Sequence, residues 1–324
     1  MSTTESSVTA VIEHAVRAAV KAPSPHNTQP WRFETGPRHV DLLLDRDRVL
    51  AVADPDAREA RLSCGAALLN LRIATRAAGW ATRYELLPDP AQPDLLATVW
   101  IGGVRVPSPE HRVLAAAVDR RASNRHPFTD RVVPPHHRWN LARATDAEGA
   151  HLVLLARPSE LSKFADLLRR ADLLQEQDPA FQAELLRWTA THPDRDDGVP
   201  RSAGGPRPAE GSILKLREYH EATMERLYEQ DPLVVVLATP GDTPFDQLRG
   251  GQALQRLLLT ATVEGLSASF LSQPTEIPAL RDALRELIGG RAHPQTVLRI
   301  GFGYPPPRTP RRPAHAVTSA KESS

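Results

Sequence analysis

Apolar residues recur at helical spacing over four turns in two segments of the chain, 64–79 and 250–265. Both segments end on a glycine, the residue that most often closes a helix in the left-handed conformation. The pattern predicts two long, largely buried helices. The segments also align without a gap, and the identical matched pairs are Gly65 and Gly251, Ala67 and Ala253, Leu68 and Leu254, Leu71 and Leu257, and Gly79 and Gly265.

Each of these helices is followed by a β-rich segment that ends in Ile-Gly, at 96–102 and at 296–301. A helix and strand pattern that occurs twice in the same order is typical of an internal duplication. We therefore expect a first repeat at 1–108, a second repeat at 109–314 and a flexible tail at 315–324.

The remaining periodicity predicts shorter elements. Segments 39–44, 151–156 and 233–238 are expected to be strands, the last two of them central in a sheet. Helices are expected at 8–21, 110–119, 159–174 and 213–230. The proline-rich segment after Tyr304 is expected to run extended along the body before it frays.

Segment 177–211 has no counterpart in the first repeat. Loops of this length in compact domains are usually lids or disordered linkers. The apolar side chains of Phe181, Leu185, Leu186 and Trp188 favour a lid, since they offer a surface that docks on the body.

Composition narrows the classes of partner. The chain has 324 residues, 41% of them hydrophobic, with a formal net charge of +1, so a large core is expected and a global attraction to nucleic acid or anionic lipid is not. The single cysteine, Cys64, excludes an intramolecular disulfide. No apolar run approaches the ~20 residues that span a bilayer, and no targeting pattern opens the chain, which predicts a soluble cytoplasmic protein.

Two short motifs carry the candidate chemistry. The first, 23–31, places Ser24, Asn27 and Gln29 among three prolines that hold a turn rigid. The second, 120–125, places arginines on both sides of a serine. Together they suit a ligand with a flat, hydrogen-bonding ring system at one end and a phosphate at the other, which is the shape of flavin mononucleotide (FMN).

In the second motif, Arg121 and Arg125 would give a phosphate charge-assisted hydrogen bonds of about 1.5–3 kcal/mol each, with Ser123 as a neutral donor. The alternative is that these arginines solvate a helix end or pair with Asp119 and Asp130, because exposed arginines are common.

In the first motif, the polar side chains would bind the ring edge, and the alternative is an ordinary capped turn. Trp31 is expected to anchor the core. His26 has no Cys, Asp or His at ligand spacing, so we expect no metal there; it is expected to contact the ligand's ribityl chain or the substrate cavity.

These motifs, with Glu264-Gly265-Leu266 and Arg311-Arg312-Pro313, occur in an order that resembles the nitroreductase-like flavoprotein family, and more narrowly its Acg-type subgroup. The resemblance runs from about residue 8 to about residue 314. It implies an α+β nitroreductase-like fold in which one duplicated chain mimics the family homodimer, with a lid inserted in the second half. Because the two half-sites lie on different repeats, it also implies one FMN site in place of two.

The resemblance further implies cofactor contacts from Pro25 and His26. The backbone N–H groups at Glu264, Gly265 and Leu266 would face the reactive edge of the flavin. Arg311 or Arg312 would contact the phosphate, the alternative being a basic, disordered tail.

The function implied is an FMN-dependent oxidoreductase that takes electrons from NAD(P)H and passes them to a small-molecule acceptor, a nitroaromatic or a quinone. We name no catalytic side chain, because the cofactor carries the hard chemistry. One alternative is a lidded FMN-binding protein without turnover, and another is a specialised flavin-dependent oxidase or dehydrogenase of a biosynthetic pathway. No dinucleotide-fold, P-loop or hydrolase-elbow motif is present. A monomer or weak homodimer is expected.

Overall fold

The structure is a computed structural model that describes residues 3–190, 194–219 and 224–321. Parts of three predicted segments lie outside these residues: 191–193 of the lid, 220–223 of the helix expected at 213–230, and 322–324 of the tail. No helix among the described residues is both long enough and apolar enough to cross a membrane.

Helices and strands alternate along the described chain. The α-helices are α1 (Thr3–Ala19), α2 (Arg58–Ala77), α3 (Pro109–Val118), α4 (Pro135–Asp146), α5 (Pro158–Glu176), α6 (Pro179–Arg187), α7 (Pro244–Val263), α8 (Gln273–Glu276) and α9 (Pro278–Leu287). The strands are β1 (Trp31–Thr35), β2 (His39–Leu44), β3 (Trp80–Leu86), β4 (Leu95–Val104), β5 (His151–Leu154), β6 (Thr189–Ala190), β7 (Val199–Pro200), β8 (Arg207–Pro208), β9 (Glu225–Arg226), β10 (Leu233–Thr239), β11 (Ser267–Phe270), β12 (His293–Gly301) and β13 (Thr318–Ala320).

The two main sheets have the same internal topology. The first has the order β13-β1-β2-β4-β3, and the second, given from its other edge, has the order β5-β10-β12-β11. Within the matching four strands, all neighbours are antiparallel in both sheets. The long helices also correspond, since α2 lies between β2 and β3 and α7 lies between β10 and β11. The α+β duplication predicted from the sequence is therefore confirmed.

The two long helices cross at glycines that the internal alignment pairs. A Cβ atom added to Gly65 would lie 2.2 Å from the carbonyl oxygen of Leu248, and one added to Gly251 would lie 2.0 Å from that of Leu62. These contacts are reciprocal, as at the interface of a symmetric dimer, where residue i touches j and j touches i. Only glycine permits the helix backbones to approach so closely.

This crossing gives a first testable prediction. In Gly65→Ala the new methyl group meets the Leu248 carbonyl oxygen, so the helices must separate, and we expect the free energy of unfolding to fall by about 1–3 kcal/mol. Urea denaturation measures the change. The matched control is Gly103→Ala in β4, where an added Cβ has no atom within 4 Å. Equal stability of the two variants would contradict the close crossing.

The first repeat's core lies between its sheet and helices α1 and α2. Trp31, predicted to be a core anchor, is fully buried there, as is Phe33. Two further clusters form the core of the second repeat, on either face of its sheet. The lid adds a small cluster of its own, in which Phe181 and Trp188 pack against Leu50 and Ala53 of the first repeat.

Segment 213–219 is not the helix that its pattern predicts. Leu214 and Leu216 are buried in the core beside the second sheet, while Lys215 and Arg217 pair with acidic residues. Residues at alternating positions thus point to different surroundings, as in an extended chain. Tertiary packing overrides the helical propensity of these residues.

Three smaller expectations also differ from the structure. β5 forms the edge of its sheet and not the centre, because only β10 pairs with it. Leu186, expected to dock the lid, is 69% exposed. The expected flexible tail instead forms β13, which runs parallel to β1 and pairs with it. An unpaired strand edge readily accepts another strand, which explains why the tail is ordered there.

Candidate cofactor site

A cavity lies where the two repeats, the lid and the proline-rich segment after Tyr304 meet. Its volume is about 80 Å³, smaller than the roughly 300–1,000 Å³ of most ligand pockets. Seven of the residues predicted from the sequence line it: Ser24, Pro25, His26, Asn27, Ser123, Arg125 and Arg311.

The turn that carries the first motif is strained. His26, Asn27 and Gln29 have φ angles of 48°, 58° and 57°, in the left-handed region that favours glycine. The Ser24 hydroxyl accepts the N–H of Gln29 at 2.9 Å and so closes the turn. Such strain persists only where the surroundings enforce it, and it is common at ligand-binding sites.

One of the two polar atoms of the Asn27 side chain has hydrogen-bond partners among the described residues. Its amide nitrogen donates to the carbonyl oxygens of Gly198 and Pro310, at 3.0 Å each. Its buried Oδ1 has no partner among the described residues. Buried polar atoms are almost always hydrogen-bonded, so this oxygen is available to accept an N–H group from a ligand.

The imidazole of His26 is buried in the cavity wall. Burial and, to a smaller extent, the charge of Arg217 lower its pKa to about 3, so the ring is neutral at physiological pH. Its Nδ1 is buried without a partner among the described residues. The ring stands edge-on to Tyr219 of segment 213–219, with 5.6 Å between ring centroids.

Two arginines with buried guanidinium nitrogens meet beside the cavity. Arg121 keeps one long hydrogen bond, 3.3 Å to the carbonyl oxygen of Lys21, and its Nε and Nη1 have no partner among the described residues. Arg311 donates only to uncharged oxygens, those of Ala22, Thr309 and Pro310, and its Nε is unpartnered as well.

Burial lowers the pKa of both guanidinium groups. Burial lowers the pKa of Arg121 to about 10. Burial and the nearby charge of Arg121 lower the pKa of Arg311 to about 9. Two like charges buried together are costly unless an anion joins them, so the arrangement is that of an anion site.

Two other predicted residues contact the lid or the proline-rich segment after Tyr304. The guanidinium of Arg125 lines the cavity but donates to Ala203 at 3.0 Å and lies 4.5 Å from the ring centroid of Tyr219. Gln29 donates to Asp196 at 2.8 Å and accepts from the N–H of Arg312 at 2.9 Å.

Arg312 itself is turned away from the cavity, with its guanidinium 3.6 Å from Asp45. Of Arg311 and Arg312, the structure therefore places Arg311 at the cavity.

The backbone N–H groups of residues 264–266 are not available to a ligand. They donate to the carbonyl oxygens at the end of α7, at 3.0 Å from Glu264, 3.3 Å from Gly265 and 2.8 Å from Leu266. The Glu264 carboxylate is bound by His137 and Asn140. The structure therefore places all three residues in the closure of the helix and not at the cavity, contrary to the prediction.

Sequence reasoning missed part of the lining. The missed residues are Glu59, Leu62 and Ser63 on α2, Leu254 on α7, Phe270 and Ser272 at the end of β11, Gln295 and Thr296 on β12, Thr309 in the proline-rich segment after Tyr304, Val199 in the lid, and Arg217 and Tyr219 in segment 213–219. One signal was present: Glu59 and Ser63 are polar and lie one turn apart on a buried helix.

The lid is docked on the first repeat. Asp197 pairs with Arg48 at 3.0 Å, and the N–H of Gly198 donates to the carbonyl oxygen of Asn27 at 3.4 Å. On the outer side, the Glu184 carboxylate accepts the backbone N–H groups of Val52 and Ala53. The lid therefore closes one wall of the cavity.

Comparison with known proteins identifies the family. The chain is 35% identical over 334 residues to "Putative NAD(P)H nitroreductase acg" of Mycobacterium tuberculosis, covering 95% of each chain. It is 33% identical over 313 residues to "Putative NAD(P)H nitroreductase Rv3131" of the same organism, covering 94% of this chain and 90% of that one. No family model matches the chain.

Solved structures with a similar arrangement are more distant. A nitroreductase with bound FMN from Bacteroides fragilis has a TM-score of 0.38 and 12% identity, covering 59% of this chain and 88% of that one. A nitroreductase-like protein from Bacillus cereus has a TM-score of 0.40 and 17% identity, covering 65% and 96%. On the strength of its full-length relatives, the chain belongs to the nitroreductase-like family, in the Acg-type subgroup.

Proposed function

We propose that the chain is an FMN-dependent oxidoreductase that holds one FMN between its two repeats. Electrons would enter from NADH or NADPH and leave to a small acceptor such as a nitroaromatic or a quinone. The observation that carries the proposal is the buried pair Arg121 and Arg311, whose free N–H groups and uncompensated charge fit a phosphate.

The residues present fit the cofactor at both ends. Arg121, Arg311 and the hydroxyl of Ser123 would hold the phosphate. Asn27 would accept a ring N–H through its free Oδ1, and His26, being neutral, keeps an acceptor nitrogen. When bound, FMN supplies the hydride-transfer chemistry, and the chain supplies binding, orientation and exclusion of water.

A second candidate function rests on the lid. Val199 of the lid lines the cavity, as do Arg217 and Tyr219 of the adjoining segment 213–219, and the lid hydrogen-bonds to the strained turn. A lid docked in this way would shield a bound flavin from the nicotinamide. The protein would then hold FMN without reductase turnover.

Anaerobic mixing separates the two functions. If the chain is a reductase, NADH or NADPH added to the FMN-loaded protein should bleach the visible absorption of the flavin within seconds. If the lid excludes the nicotinamide, the colour should persist for many minutes while dithionite, a small reductant, still bleaches it. Persistence of colour with both nicotinamides would contradict the reductase proposal.

A further inference from the structure

The cavity wall contains a cluster of buried charged side chains that the proposed function leaves unused. Glu59 of α2 and Arg217 of segment 213–219 both line the cavity. Arg217 donates to both carboxylate oxygens of Glu276, and Arg58 donates to Oε1 of Glu59 at 2.9 Å. Each carboxyl group thus has an arginine, but the two pairs differ in what else they contact.

Glu276 is held as an anion. Besides Arg217, it accepts from the Ser272 hydroxyl at 2.8 Å and from the Gln175 amide at 2.7 Å. Burial alone would raise the pKa of Glu276, but the guanidinium of Arg217 outweighs burial and lowers the pKa to about 2.

The Glu59 carboxyl group accepts fewer hydrogen bonds than that of Glu276. The guanidinium of Arg58 is shared with the carbonyl oxygens of Gln295 at 2.7 Å and Thr275 at 3.2 Å. The Thr275 hydroxyl reaches Oε1 of Glu59 only at 3.3 Å. Oε2 of Glu59 has no hydrogen-bond partner recorded among the described residues, and Glu59 is 7% exposed.

Two cations and two anions act on the carboxyl group of Glu59. The cations Arg58 and Arg217 face the anions Glu276 and Asp54, the latter accepting the backbone N–H of Glu59 at 2.9 Å. Burial and the anion Glu276 raise the pKa of Glu59 to about 8, against the opposing charge of Arg58.

Two further cations, Arg125 and Arg311, line the same cavity and donate to the carbonyl oxygens of Ala203 and Ala22. His26 is neutral because of its low pKa. Because its pKa is raised, Glu59 is a carboxylic acid at the cavity wall, of the kind that can give a proton at neutral pH.

We propose that Glu59 carries the proton for the reaction in this cavity, holding it on Oε2 and passing it to the acceptor as the acceptor is reduced. The inference rests on the proposed function. A quinone becomes a hydroquinone by gaining two electrons and two protons. Reduced FMN, when bound, would supply a hydride, which brings both electrons and one proton, and Glu59 would supply the second proton. Glu59 is left as a carboxylate and regains its proton from water.

The kinetic test compares two acceptors. FMN-loaded protein reduced with dithionite is mixed with benzoquinone, which needs a proton, or with ferricyanide, which takes electrons alone. We expect Glu59→Gln to slow reoxidation by benzoquinone about 100-fold, the usual size of general acid catalysis, and to leave the ferricyanide rate unchanged. Glu85→Gln, an exposed glutamate of β3, is the matched control and should change neither rate. Equal slowing with both acceptors, or no slowing with benzoquinone, would overturn the proposal.

An infrared titration of the flavin-free protein tests the proton itself. The difference between the natural protein and Glu59→Gln should contain the carbonyl stretch of a protonated carboxyl at pH 7, which disappears as the pH rises through about 8. Absence of that band at pH 7 would overturn the proposal. Failure of the chain to bind FMN would refute the proposed function alone, because the infrared band is measured without the cofactor.

Discussion

Replacing both buried arginines, as Arg121→Met and Arg311→Met together, should abolish the yellow colour of the purified protein. Each guanidinium would contribute a charge-assisted interaction of about 1.5–3 kcal/mol with the phosphate, so the loss of both should raise the dissociation constant of FMN by about 10²–10⁴-fold. Methionine keeps the apolar stem that packs in the interior. Fluorescence titration of the flavin-free protein with FMN measures the change.

The same double variant should fold at least as stably as the natural protein without flavin. Replacing buried charges by apolar groups of similar volume is often neutral or stabilising, and here two like charges are removed. Arg120→Met is the matched control, since Arg120 is exposed and donates only to the backbone at Ala116. Unchanged FMN affinity in the double variant would move the phosphate site elsewhere.

Glu148→Ala should produce the largest loss of stability among single substitutions at the contact between the repeats. Glu148 accepts hydrogen bonds from Arg72 of α2 at 3.0 Å and from Arg256 of α7 at 2.9 and 2.8 Å. All three are at most 9% exposed. Removing the carboxylate leaves two buried cations together, and breaking such a pair costs about 3–5 kcal/mol.

Urea denaturation of the flavin-free protein measures this effect without a contribution from ligand binding. The control is Glu110→Ala, because Glu110 also pairs with Arg256 but its side chain is 64% exposed. Exposed pairs contribute about 0–1 kcal/mol. Similar losses in the two variants would show that the buried network does not hold the repeats together.

The elements with strong periodicity were predictable from the sequence. Helices α2 and α7 have an apolar face over their whole length and a terminal glycine, so local pattern and tertiary packing agree. The matching glycines at 65 and 251 predicted the duplication, and the two sheets have the equivalent topology. The cavity contacts of Asn27 and Ser123 were predictable because each lies within a short contiguous motif.

The rest depended on contacts between distant parts of the chain. Segment 213–219 has an ambiguous pattern, and only the core of the second repeat selects the extended form. β13 forms because the edge of β1 accepts it, which the tail sequence does not encode. Glu59 reaches the site through the packing of α2 against α8 and β12 residues, and its one local signal is the polar pair that it forms with Ser63 on a buried helix.

In the proposed function, two repeats of one chain face each other and form a single cofactor site from both halves. Calorimetric titration of the flavin-free protein with FMN should then saturate at one FMN per chain. Saturation at two per chain would mean that each repeat binds its own flavin, and would contradict the single shared site.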